Sequence, residues 1–124
     1  MEKAKILLVE DEPFMMEAMS HVIRNRGNEV LAVNNVQEAK AILAKEIIGL
    51  VITDLYLPEP DGFGLVNHIK DNPKTKSIPV IVVTGMIDNK ETLSTKIPAD
   101  EWLFKPFTLQ QLTETIRKYL TIEV

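Results

Sequence analysis

Five short runs of apolar and β-branched residues recur along this chain, Ile6 to Val9, Val30 to Val33, Leu50 to Thr53, Ile78 to Thr84 and Trp102 to Phe104, with helical periodicity between them. Each is about as long as a strand. The run from Ile78 to Val83 is apolar throughout, where a half-exposed strand would switch between apolar and polar. A strand buried on both faces needs helices above and below it. Strict alternation of strands and helices supplies them, because each right-handed crossover returns the chain through a helix. The pattern predicts an α/β fold: a doubly wound, five-stranded parallel sheet with helices on both faces.

The helical stretches carry their own boundary signals. The first places Met15, Ala18, Met19, Val22 and Ile23 at helical spacing, with Pro13 in its opening turn and Gly27 positioned to stop it. Phe14, Met15, Met16 and Met19 read as core with one partly exposed flank, and Asp11, taken alone, reads as a cap. The second helix starts at Asn35, with Glu38 three residues on as its capping-box partner, and turns Val36, Ala39 and Leu43 inward. A third runs from about Phe63 to Lys70. Asp61-Gly62 before it reads as a turn. Between Asp88 and Lys96 a further, short helix is expected, although only Leu93 and Ile97 give it an apolar face. The last helix opens on a Thr108/Gln111 capping box and lines up Leu109, Leu112, Ile116, Tyr119 and Leu120.

At 124 residues there is room for one ordinary domain, expected to span residues 1–124, and 45% hydrophobic with 26% charged residues is a globular composition. The net charge of −4 comes with no run of Lys or Arg, which argues against nucleic acid or a membrane surface as a direct partner. With no cysteine, a metal would have to use oxygen or histidine ligands. His21 and His68 have no second histidine at ligand spacing. Ile6 to Val9 is too short for a signal-peptide core or a membrane span, so a soluble, cytoplasmic protein is expected.

Open parallel sheets bind ligands outside the carboxyl ends of their strands. Here those ends carry Glu10, Asp11 and Glu12, then Asp54, Thr84 and Lys105. Carboxylates converging at one sheet edge repel unless a cation sits among them. An all-oxygen set with positions left for water and phosphate suits Mg2+. Lys105 adds a compact positive charge for Asp54 or a phosphoryl oxygen, and Thr84 a hydroxyl donor. Asp54 is then the nucleophile toward phosphorus, with ion and lysine offsetting charge on the equatorial oxygens.

Four segments, ILLVEDEP at 6–13, VITDLYLPEPDG at 51–62, PVIVVTG at 79–85 and LFKPF at 103–107, give the chain a further identity. In this order and spacing it resembles, over nearly its whole length, the receiver domains of bacterial two-component response regulators, especially the chemotaxis-regulator type. The resemblance implies a flavodoxin-like sheet in the order 2-1-3-4-5 and a switch that receives a phosphoryl group on Asp54. It implies Mg2+ held by Asp11, Asp54, the backbone carbonyl of Tyr56, and Glu10 directly or through water. Thr84 takes the part of the switch hydroxyl and Lys105 that of the lysine bonding the phosphoryl group, with a cis peptide before Pro106. Trp102 occupies the switch aromatic position, acting on the face made by the fourth helix, fifth strand and fifth helix. Partners bind that face, and relatives use it for homodimers. The donor is expected to be a sensor histidine kinase or a phosphotransfer protein, and the output a downstream protein target or a C-terminal effector domain. Such a domain is not an enzyme beyond its own phosphoryl transfer and slow autodephosphorylation.

Several positions depart from the usual pattern. Glu10 replaces an aspartate and extends the carboxylate by one methylene. Tyr56 and Met86 stand two residues after Asp54 and Thr84, where they flank the path of attacking water and are expected to slow hydrolysis. Trp102 is larger than the common Tyr, Phe or His, which crowds an inward rotamer, and Pro98 stands near a common Gly-Ala turn. Two other functions compete. A magnesium phosphohydrolase with an aspartyl nucleophile is opposed by Tyr56, which sits where such enzymes carry a general acid, and by the lack of a cap domain. A receiver that no longer accepts phosphate, working as a protein-binding module, is left open by Glu10 and Trp102.

Overall fold

The computed structural model describes residues 4–55, 57, 62–85 and 97–120. The elements are β1 (Lys5–Val9), α1 (Pro13–Asn25), β2 (Glu29–Val33), α2 (Val36–Lys45), β3 (Ile48–Asp54), α3 (Gly62–Asp71), β4 (Val80–Thr84), β5 (Glu101–Phe104) and α4 (Leu109–Tyr119). All five strands are parallel, in the order β2-β1-β3-β4-β5, as the alternation and the resemblance imply. The helix expected between Asp88 and Lys96 lies outside the described residues, as do Tyr56 and Met86.

The pleat divides each apolar run between two cores. Ile6, Leu8, Leu50, Ile52, Ile81 and Val83 pack with Met19 and Ile23 of α1 and Leu112 and Ile116 of α4 on one face. Leu7, Val9, Val51, Val80 and Val82 pack on the other with Ala39 and Leu43 of α2 and Leu65 and Ile69 of α3. Both faces of β1, β3 and β4 are dry, which is why these runs do not alternate. Each such side chain contributes about 1.5–3 kcal/mol.

The caps refine the helix boundaries. Pro13 is the first residue of α1, so the cap falls on Glu12 and not on Asp11. Glu12 Oε1 and Oε2 accept from Phe14 N at 3.2 Å and Met15 N at 2.7 Å. Gly27, at φ 90, ends the helix as expected. Asn35 Oδ1 accepts from Glu38 N at 2.8 Å, but the side chain of Glu38 makes no return bond, so the box expected there is half formed. The Thr108/Gln111 box closes in both directions, at 3.0 and 2.7 Å. Phe14 is 82% exposed and Leu109 48% exposed. Phe14 is thus the exposed flank expected near the start of α1, whereas Leu109, in the first turn of α4, does not join the core expected of it.

β4 begins at Val80 and not at Ile78. Ile78 N donates to Thr75 O at 2.9 Å, closing a turn, and Ile78 O accepts from Lys70 Nζ at 2.8 Å. Lys70 also bonds Asp100 Oδ2 at 2.7 Å, and the same oxygen accepts from Val80 N at 2.7 Å. This cluster ties α3 to the starts of β4 and β5.

Between β1 and β3 the register skips one residue: Lys5 faces Ile48 and Ile6 faces Leu50, which leaves Gly49 as a bulge. A Cβ on Gly49 would lie 2.5 Å from the Cβ of Ala4, an atom fixed to backbone that cannot swing aside. Gly49→Ala is therefore expected to destabilise the fold by about 1–3 kcal/mol, read as a lower urea midpoint at unchanged m-value. Wild-type stability in that variant would show that the strands part without cost.

Candidate functional site

The functional side chains lie at the carboxyl edge of the sheet, and strand register brings them there. Val9 pairs with Thr53, so Glu10 and Asp54 follow adjacent positions on neighbouring strands. Asp54 pairs with Val83, and Thr84 with Phe104, the residue before Lys105. The main chain extends this alignment: Glu10 N donates to Val33 O at 3.0 Å, Leu55 N to Val83 O at 3.0 Å and Lys105 N to Thr84 O at 2.9 Å.

Glu10, Asp11 and Asp54 each offer a carboxylate oxygen within 4.8 Å of the others. Glu10 is 1% exposed and Asp54 7% exposed, while Asp11 is open to solvent. Lys105 Nζ donates to Asp54 Oδ2 at 2.8 Å and reaches Glu10 Oε1 at 3.4 Å. The other oxygen of Glu10 accepts from Glu12 N at 3.0 Å. One ammonium thus serves two buried acids, with a third acid at the rim.

The electrostatics follow from burial. Desolvation of the Glu10 carboxyl raises its pKa above the ordinary value, with the charge of Asp54 adding to the shift; the bond from Glu12 N and the charge of Lys105 work against it and lose. For Lys105, burial alone would lower the pKa, but the hydrogen bonds and charges of Asp54 and Glu10 outweigh it, and the ammonium is held above its ordinary range. The site therefore keeps a firmly charged cation beside a Glu10 carboxyl that is harder to ionise than usual. The oxygen-only donor set fits a hard divalent ion.

Thr84 is buried at the end of β4. Trp102 pairs in register with Val82, two positions before Thr84. It is half-buried, packs against the core on the α2/α3 face and stacks on Phe104 at 6.3 Å between centroids and 14° between planes. The peptide between Lys105 and Pro106 is cis. The structure thus gathers Glu10, Asp11, Asp54 and Lys105 at one point, with Thr84 on the neighbouring strand tip and Trp102 further back. Tyr56 lies outside the described residues. Sequence reasoning grouped Glu12 with the acids, whereas its carboxylate caps α1; Pro13 at the first helical position was the signal that assigns it. Lys70 and Asp100 carried no such signal.

Known proteins share this sequence pattern and this fold. The sequence matches the family described as "Response regulator receiver domain" over residues 6–117. The "probable transcriptional regulator ycf27" of Porphyra purpurea is 31% identical over 120 residues, 96% of this chain and 48% of that protein. The chain spans about half the length of the first curated relatives it matches. Among solved structures, the chemotaxis response regulator CheY4 of Vibrio cholerae superposes with a TM-score of 0.88 at 28% identity, covering 95% of this chain and 99% of that one. The receiver domain of a sensor histidine kinase of Pseudomonas aeruginosa shares the fold, with a TM-score of 0.86 at 22% identity over 94% of this chain and 97% of that one, and holds a magnesium ion in its active site cleft. The chain belongs to the response regulator receiver domains, the signalling switches of two-component systems.

Proposed function

We propose that this chain is a phosphoacceptor switch in which Asp54 takes a phosphoryl group from a sensor histidine kinase or a phosphotransfer protein. The observation that carries the reading is the grouping of Glu10, Asp11 and Asp54 within 4.8 Å beside a lysine 2.8 Å from Asp54. Asp54 is the nucleophile, and its oxygen forms the bond to phosphorus as the bond to the donor breaks. Lys105, held by β5, follows the transferred group and offsets its charge, and the Thr84 hydroxyl donates to a phosphoryl oxygen. Glu10, Asp11, Asp54 and the Tyr56 carbonyl would hold Mg2+, which when bound supplies the remaining positive charge. Partner choice changes when Thr84 moves and the Trp102 ring adjusts, on the face that includes β5 and α4. Residues 1–124 form one receiver domain acting in the cytoplasm, with its output passed to a downstream target or an effector domain, and with homodimer contacts on that same face.

Labelling tests the acceptor directly. Incubated with acetyl phosphate and magnesium, the protein should gain one phosphoryl group per chain, labile to hydroxylamine, and Asp54→Asn should gain none. Continuous release of phosphate would mark a hydrolase instead, and an unlabelled wild type would mark a plain binding module.

Metal binding needs ionised carboxylates. At about a hundred times its dissociation constant, magnesium should stabilise the fold by about 2–3 kcal/mol at pH 7. Burial raises Glu10 above 4.5, so protons compete with the metal already above that pH, and the gain should shrink as pH falls toward it. Melting curves with and without magnesium report this, and an equal gain at pH 7 and pH 4 would exclude the carboxylates as ligands.

Tyr56 and Met86 are proposed to shield the phosphoryl group from water. The double substitution Tyr56→Asn, Met86→Glu should shorten the phospho-aspartate half-life by about tenfold, a change of about 1.4 kcal/mol in the barrier; an unaltered half-life would refute the shielding.

A further inference from the structure

Lysine pairing divides the described residues sharply. Lys5, Lys70, Lys105 and Lys118 each lie within 4.0 Å of an acid. Lys40, Lys45, Lys74 and Lys76 have no ion-pair partner, although the chain carries 18 acids against 14 Lys and Arg. All four belong to one neighbourhood: α2 and the connection from α3 to β4. Glu46, the acid next to Lys45, is taken by Lys5 at 2.6 Å.

Lys40, Lys45 and Lys74 border a groove of two adjoining hollows that share Leu43, Ala44, Lys74 and Thr75. The first, about 280 Å³, is bordered by Lys40 and His68. The second, about 400 Å³, is bordered by Ile47 and Ile78, and Ile47 is 91% exposed. One acid, Glu46, also borders the second hollow, with its Oε1 bound to Lys5, and the acceptors of Asn72 are engaged. Asn72 O accepts from Thr75 N and Lys76 N at 3.0 and 2.8 Å, and Asn72 Oδ1 accepts from Lys74 N at 3.0 Å. What the groove offers a visitor is positive charge at one end and apolar surface at the other.

We propose that this groove docks an acidic segment of another protein, with carboxylates against Lys40 and Lys74 and an apolar side chain against Ile47 and Ile78. Charge complementarity selects that occupant. An extended polyanion, such as nucleic acid or an anionic bilayer, meets the field of the whole chain, which is −4. A short segment meets only charges within a Debye length of about 8–10 Å, and along the groove Lys40, Lys45 and Lys74 stand against the single acid Glu46. A concave groove also fits a side chain better than a flat bilayer. The groove opens near Ile48, the first residue of β3, while Asp54 is the last, so about 20 Å of strand separates it from the acidic site. Docking here does not require phosphorylation, and its test is independent of that reading.

The full unphosphorylated chain, labelled with ¹⁵N, is titrated with a fluorescein-tagged peptide bearing glutamates and leucines. Amide shifts should concentrate on α2 and on residues 72–78. The double variant Lys40→Glu, Lys74→Glu should weaken binding at least about tenfold and Ile47→Ser by about threefold, while Arg24→Glu, on the opposite face of the sheet, should leave it unchanged. All four positions are exposed, and unchanged circular dichroism would show that the fold is intact. The proposal is overturned if no shifts develop up to about 1 mM peptide, if they map elsewhere, or if the double variant binds as wild type does. Binding of anionic vesicles, duplex DNA or a second copy of the chain through Lys40 and Lys74, with the peptide failing to compete, would overturn it equally.

Discussion

The central constraint on this molecule is mutual repulsion between carboxylates that the fold itself brings together. Glu10 and Asp54 are both buried and stand with Asp11 inside 4.8 Å. At an effective dielectric of about 20, two unit charges at that distance oppose each other by about 3 kcal/mol. That is a considerable fraction of the roughly 5–15 kcal/mol by which a domain of this kind is stable. The structure holds them by two means. Lys105 bridges both buried acids, and desolvation moves Glu10 toward its neutral form. The apolar layers on either side of β1, β3 and β4 provide the stability against which this repulsion is sustained.

That arrangement was largely legible in the sequence, for a physical reason. Strands buried on both faces must be apolar at every position, so β1, β3 and β4 announce themselves without any knowledge of their neighbours, and the residues just beyond them mark the sheet edge. Glu10, Asp54 and Thr84 stand at those ends, and Lys105 follows β5, whose short apolar run carries a weaker signal. The features that leave no local mark depend on contacts distant in sequence. Asp100 looks like any surface acid until β4 and α3 place Val80 N and Lys70 within 2.7 Å of it. Ile78 looks like strand until its carbonyl is seen held by Lys70. Leu109 has the right spacing for core but occupies the first turn of α4 and is 48% exposed. Gly49 gave no signal of its own, because the bulge exists only in the pairing of β1 with β3.

The three consecutive acids after β1 show how finely position alone can divide chemistry. Glu10 follows the last strand residue, and its main chain is still bound to β2 through Val33 O, which draws its side chain under the sheet edge. Asp11 is one residue further and open to solvent. Glu12 precedes Pro13, which has no N–H to offer, so its carboxylate turns to the next two free donors of α1. A shift of one residue in the position of Pro13 would reassign all three. The identity of Glu10 matters for the same reason. One of its oxygens accepts from Glu12 N at 3.0 Å and the other from Lys105 Nζ at 3.4 Å, so the one carboxylate joins the start of α1 to the lysine.

Lys105 joins the site to the rest of the sheet. Its ammonium is at 2.8 Å from Asp54 and 3.4 Å from Glu10, while its own N–H is bound to Thr84 O at 2.9 Å. A phosphoryl group on Asp54 would put about −1.5 to −2 of charge where the carboxylate carried −1, on oxygens further from the backbone, and would compete with Glu10 for that ammonium. The side chain has freedom to follow, being partly exposed, but the backbone beneath it is locked to β4. Any displacement that the long side chain cannot absorb must therefore pass into the β4–β5 pairing, where Thr84 opposes Phe104 and Val82 opposes Trp102. Trp102 and Phe104 are stacked with rings 14° from parallel, so they respond as a pair. As an edge strand with one hydrogen-bonded neighbour, β5 is less able to resist such a shift than β1, β3 or β4, each paired on both sides.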